Sequence, residues 1–126
     1  MTRARKFIAE GFGTMLLLAA IVGSGIMGER LSGGNVAVAL LANTIATGAM
    51  LVAIIFAFGR ISGAHFNPVV TLAIASQGGL GWGEVPGYVL AQIIGAFAGV
   101  AAAHVMFNES VFSLPTCTSR RSPALQ

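Results

Sequence analysis

Charge is what this sequence has least of. Only 9% of its 126 residues are Asp, Glu, Lys or Arg, whereas 56% are hydrophobic. A soluble domain carries about 25% charged residues. Seven cations and four carboxylates cannot cover the surface of a soluble globule of 12.8 kDa with a mean hydropathy of +0.85. The composition is that of a membrane protein. Cysteine is nearly absent as well. Cys117 stands alone, which excludes an internal disulfide and a thiolate metal cluster and leaves an incidental thiol in a polar tail. Also lacking are a carboxylate pair, a Ser-His-Asp set and any cluster of metal ligands, since His65 and His104 each stand alone. Enzymatic chemistry, a metal and a cofactor therefore have no visible seat. The stretch Gly23-Ser24-Gly25-Ile26-Met27-Gly28 does fit GxGxxG, but it ends an apolar helix and follows no strand, so it carries no dinucleotide site.

The basic balance, with a pI near 10.0, does not indicate nucleic acid. It comes from the two ends: Arg3, Arg5 and Lys6 at one, Arg120 and Arg121 at the other. Between them Arg30 and Arg60 are outnumbered by Glu10, Glu29, Glu84 and Glu109. Basic ends around an apolar middle are topology signals rather than a groove for phosphates.

Three stretches are long and apolar enough to cross a hydrocarbon core of about 30 Å: residues 7–28, 36–59 and 85–107. The first carries one charge, Glu10, and is about twice the length of a signal-peptide core, so it is expected to be retained. Arg3, Arg5 and Lys6 place the N-terminus in the cytoplasm, with the loop 29–35 outside and Arg60 back on the cytoplasmic side. Arg120 and Arg121 then fall outside, against the rule, and the first helix is taken to dominate. Seventeen glycines, among them a GxxxG pair at Gly95 and Gly99, predict closely packed helices without naming a partner for either.

A fourth apolar region is interrupted. Asn67 can cap a helix and Pro68 suits its first position, while Gly78, Gly79 and Gly81 close it. A helix over residues 67–77 would be about 15 Å long, half the bilayer core, so it enters without crossing. A capped start at that depth is tolerated only where it is buried in protein or lines a water-filled cavity. Ahead of it, Gly63 and Ala64 are expected to be extended, with carbonyls turned to a cavity. Pro68 drives Asn67 out of the helical region, so that its amide N–H₂ projects at the break. Carbonyl acceptors followed by an amide donor suit a file of water or small hydroxylated solutes. The positive end of the half-helix dipole disfavours cations and protons there. The expected architecture is an all-α membrane protein with three transmembrane helices and one re-entrant half-helix.

These residues resemble the aquaporin, or major intrinsic protein, family. Ser62-Gly63-Ala64-His65-Phe66-Asn67-Pro68 followed by Val69-Val70-Thr71 is similar to the family's first pore loop. Ala9-Glu10-Gly11-Phe12-Gly13-Thr14 resembles its first-helix signature, and Gly87-Tyr88-Val89-Leu90-Ala91-Gln92 its third-helix signature. The resemblance spans residues 5–112 and implies one half of an inverted-repeat fold. It assigns Asn67, Pro68 and Val69 to the Asn-Pro-Ala box, with Val69 in place of the usual alanine. Gly63, Ala64 and His65 become the carbonyl acceptors of the pore wall, and Thr47 a constriction residue where water-selective members carry a bulky aromatic. Threonine there implies a wider pore, with glycerol, urea or metalloid acids such as arsenite as solutes. Glu10 is implied to brace the pore loop; its plainer reading is a charge at the helix mouth near Lys6. Gln92 is a packing or bracing residue, and His104 an interfacial side chain rather than a ligand.

The resemblance also implies a homo-oligomer, tetrameric in the family, in a bacterial inner membrane, with the lipid bilayer and a neutral solute as partners. One repeat, residues 1–114, is expected from this sequence, and the second Asn-Pro-Ala box is not found in it. Residues 115–126 are polar and unlike the family, as a frameshifted or truncated product would be. A half-channel that pairs with another copy, or with a complementary second half, is the alternative, and a non-conducting scaffold or regulatory subunit is the rival function.

Overall fold

The computed structural model describes residues 1–109, so the expectation for residues 115–126 lies outside the described residues. Four helices follow in order: α1 Arg3–Leu31, α2 Val36–Ser62, α3 Pro68–Ser76 and α4 Val85–Met106. Among the described residues α1, α2 and α4 are long and apolar enough to cross a membrane, and there is no strand. At 1.5 Å per residue α4 is about 33 Å long and α1 and α2 about 40 Å or more, whereas α3 is only about 14 Å.

The first two helices outrun their apolar cores, whereas α4 matches its own to within one residue. The first helix begins at Arg3 and ends at Leu31, and the second runs to Ser62, past Arg60. Hydropathy marks where the bilayer ends, while backbone hydrogen bonding and caps decide where a helix ends. Asn35 starts α2 by accepting from the N–H groups of Ala37 and Val38 at 3.1 and 3.3 Å. Gly63, at φ 93°, ends it in the left-handed conformation that glycine adopts without strain. Pro68 opens α3, where its missing N–H costs nothing.

The first helix is the centre of the assembly. It packs along both α2 and α4, which touch each other only where Tyr88 reaches the Ser62 carbonyl at the end of α2, and α3 packs on α4. The seam between α1 and α4 is backbone on backbone: a Cβ added at Gly95 would lie 2.1 Å from the Gly11 carbonyl oxygen, and one at Gly99 2.3 Å from that of Met15. The small-residue pair of α4 thus has α1 as its partner. At the N-terminal end of α4, Ala75 of α3, Leu80, Val85 and Tyr88 form a buried cluster, against which Phe7 of α1 stacks edge-on to Tyr88 at 5.7 Å. The second helix is nearly bare, with Ile54 and Ser62 buried and Leu40, Leu41, Ile45 and Phe56 exposed.

Candidate functional site

The segment between α2 and α3 is held from below by Glu10, a side chain of α1 with no exposed surface. Its Oε1 accepts from the Ser62 hydroxyl at 2.6 Å and the His65 N–H at 2.9 Å. Its Oε2 accepts from the Phe66 N–H at 2.7 Å and the Gln92 Nε2 at 2.9 Å. Four donors surround the two carboxylate oxygens, and they come from α1's three neighbours: the end of α2, the loop and α4. A buried carboxylate is stable only when its lone pairs are met in this way. Lys6 does not join it. Lys6 turns to Glu84 at 3.2 Å, where Arg3 also pairs at 3.4 Å.

The loop departs from the extended path expected of it. Gly63 has φ 93°, and Ala64 and Phe66 have φ of 54° and 48°. A non-glycine residue in this region is strained by order 1–3 kcal/mol, and the strain persists only where the surroundings over-determine it. Here the carboxylate of Glu10 fixes the N–H groups of His65 and Phe66, and the Ser62 hydroxyl takes the N–H of Ala64 at 3.2 Å. The Phe66 ring is then buried over Gly13, where an added Cβ would sit 2.1 Å from the ring.

A second ring of contacts fixes the start of α3. The Thr71 hydroxyl donates to the Asn67 carbonyl at 3.1 Å and accepts from Gln92 Nε2 at 2.9 Å, and His65 Nδ1 lies 3.2 Å from it. The orientation of the Gln92 amide follows from its neighbours, since an oxygen facing Glu10 would be repelled. Tyr88 donates its hydroxyl to the Ser62 carbonyl at 2.7 Å. Asn67 itself is extended, at φ −153°, and exposed; its Oδ1 accepts from the Val69 N–H at 2.9 Å. With the amide oxygen used as the cap, the N–H₂ is the part of the side chain left to donate outward.

Of the residues expected at a site, Glu10, Gln92, His65 and Asn67 are brought together in one network. Gly63, Ala64, Pro68 and Val69 flank it along the chain, with Val69 71% exposed. Thr47 belongs to a separate polar group: its hydroxyl donates to Asn43 Oδ1 at 3.1 Å, an oxygen also reached by Ser24 at 3.3 Å. His104 is satisfied within its own helix by the Val100 carbonyl, 2.8 Å from Nδ1. Sequence reasoning missed Ser62, Phe66, Thr71 and Tyr88. Two of them carried a spacing signal, since Thr71 follows Asn67 by one helical turn and Tyr88 precedes Gln92 by one.

Comparison with known proteins decides the family. The major intrinsic protein family matches residues 1–124. The chain belongs to the major intrinsic protein family. It is an integral membrane protein, and members of this family are channels rather than enzymes. Over 104 residues it is 53% identical to the aquaglyceroporin AqpS of Rhizobium meliloti (strain 1021), a match covering 82% of the chain and 44% of that relative. A probable glycerol uptake facilitator protein of Thermotoga maritima is 36% identical over 105 residues, covering 80% of the chain and 43% of the relative. A probable aquaporin of Arabidopsis thaliana is 36% identical over 121 residues, 96% of the chain and 41% of the relative. The chain therefore spans less than half the length of these relatives.

Proposed function

We propose that this chain forms one wall of a passive transmembrane pore for water and small neutral solutes, the loop 63–69 being its lining. The observation that carries this reading is the division of labour at Asn67. Its oxygen caps α3, its N–H₂ has no hydrogen-bond partner among the described residues, and the backbone behind it is pinned by a carboxylate that uses its acceptors inward. Such a donor is fixed in direction and ready to take the oxygen of a passing solute. The carbonyls of Gly63, Ala64 and His65 supply the acceptors on the approach, and the N-terminal end of α3 repels cations and protons by its dipole.

The opposite wall comes from a complementary half, and completed pores assemble as a tetramer in a bacterial inner membrane with the N-terminus cytoplasmic. Thr47, with its proton given to Asn43, offers an oxygen and little bulk, which favours glycerol, urea and undissociated metalloid acids such as arsenite alongside water. The names of two relatives, an aquaglyceroporin and a probable glycerol uptake facilitator protein, support the same solute class.

The test is glycerol-driven swelling of vesicles containing a two-repeat pore that carries this chain as its first half. Asn67→Asp removes the donor while keeping size and an oxygen to cap Val69. One lost hydrogen bond in the barrier region, about 1.4 kcal/mol, corresponds to about tenfold slower flux. Unchanged flux contradicts the pore lining and fits a non-conducting scaffold.

A further inference from the structure

The basic end of the bundle holds a groove that the pore does not use. Between α1 and α2 a cavity of about 230 Å³ is lined by Arg5, Ile8, Ala9, Phe12, Phe58 and Ile61. Its walls are apolar, and a single cation stands at the mouth. The charges around it are unevenly matched. Arg3 and Lys6 are both paired with Glu84, whereas Arg5 and Arg60, exposed at the same end, have no acidic partner among the described residues. Glu10, the nearest carboxylate along α1, is turned inward to the loop. From Arg5 to Phe12 the helix rises about 10 Å, the depth from a phosphate headgroup to the first part of an acyl chain.

We propose that this groove is a binding site for an anionic glycerophospholipid, with its phosphate on Arg5 and one acyl chain laid along Ile8, Phe12, Phe58 and Ile61. A zwitterionic lipid gains less, because its own amine offsets the attraction to an unpaired guanidinium. The groove also reaches the loop. Phe12 stacks edge-on to Phe58 at 6.1 Å, and Phe58 in the same way to Phe66 at 6.3 Å. Phe66 is the residue whose N–H is held by Glu10 and whose φ is 48°. A chain filling the groove therefore supports the aromatic column behind the pore loop. The site does not depend on the pore conducting, so its binding test is separate from the flux test.

The experiment is native mass spectrometry of the purified chain, released from micelles doped with equal amounts of phosphatidylglycerol and phosphatidylcholine of the same acyl composition. Phosphatidylglycerol is expected to be retained in preference. Arg5→Gln is expected to reduce the preference about fivefold, the worth of one basic residue near an anionic lipid. Arg3→Gln, already paired with Glu84, should change it little. Ile8→Trp fills the groove without altering charge and is expected to lower retention of both lipids while the helical circular dichroism is kept. Equal retention of the two lipids by the parent chain overturns the proposal. So does an equal loss with Arg3→Gln and Arg5→Gln, which would mean a diffuse basic end. A shift of oligomeric state with Ile8→Trp also overturns it, because a second copy would then occupy the groove.

Discussion

Glu10→Ala is expected to destabilise the protein by about 4 kcal/mol, the range found when one member of a buried polar set is removed and its partners stay behind. The substitution leaves the N–H groups of His65 and Phe66, the Ser62 hydroxyl and the Gln92 amide facing an apolar space. It also releases Phe66, whose N–H the carboxylate holds, and loosens Ala64, whose N–H is held by the Ser62 hydroxyl that Glu10 anchors. Glu10→Gln should recover only part of the loss, since its carbonyl oxygen still accepts from two donors while its N–H₂ is set against the other two, which it cannot satisfy. The measurement is denaturant-induced unfolding in mixed micelles followed by circular dichroism. Equal stability of parent and Glu10→Ala would mean that the loop holds its shape without the carboxylate.

Gly95→Leu is expected to separate α1 from α4, at a cost of about 3 kcal/mol or more from overpacking against backbone that has no flexible end to yield. The first added carbon already lies 2.1 Å from the Gly11 carbonyl oxygen and 2.9 Å from its carbon. Gln92 stands one turn before Gly95 on α4, so moving this helix also pulls its amide from Glu10 and Thr71. Gly48 of α2 is the control, because a Cβ there meets nothing within 4 Å. Gly48→Ala should be neutral, or stabilising by up to about 1 kcal/mol through helix propensity. The same unfolding assay separates the two sites. Equal effects at Gly95 and Gly48 would contradict the backbone seam.

The two levels of structure differ in how readable they are from residues alone. The three crossings follow from uninterrupted hydropathy, and the short helix from Asn67-Pro68 and the glycines behind it, because a cap and a missing N–H are local facts. Gly95 and Gly99 signalled close packing, but α1 as the partner is a tertiary fact. The loop is where local reasoning failed. Residue-type rules give left-handed backbone to glycine, as at Gly63, and do not anticipate it at Ala64 and Phe66. Their conformation is imposed by a carboxylate more than 50 positions earlier, at separations of 55 and 56 for His65 and Phe66. For the same reason Glu10 could be read two ways in sequence, as a brace or as a charge at the helix mouth near Lys6. Only the packed helices show Lys6 on Glu84 and the carboxylate under the loop.

In the proposed pore the exposed Asn67 amide meets water and solute, whereas the buried Gln92 amide is turned to Glu10 and Thr71. Solid-state NMR of the assembled pore in lipid bilayers reads this contrast directly, by magnetisation transfer from water to side-chain N–H₂ groups. A strong water transfer to Asn67 Nδ2 with none to Gln92 Nε2 is the predicted result. Water reaching Gln92, or an Asn67 amide that stays dry, would contradict it.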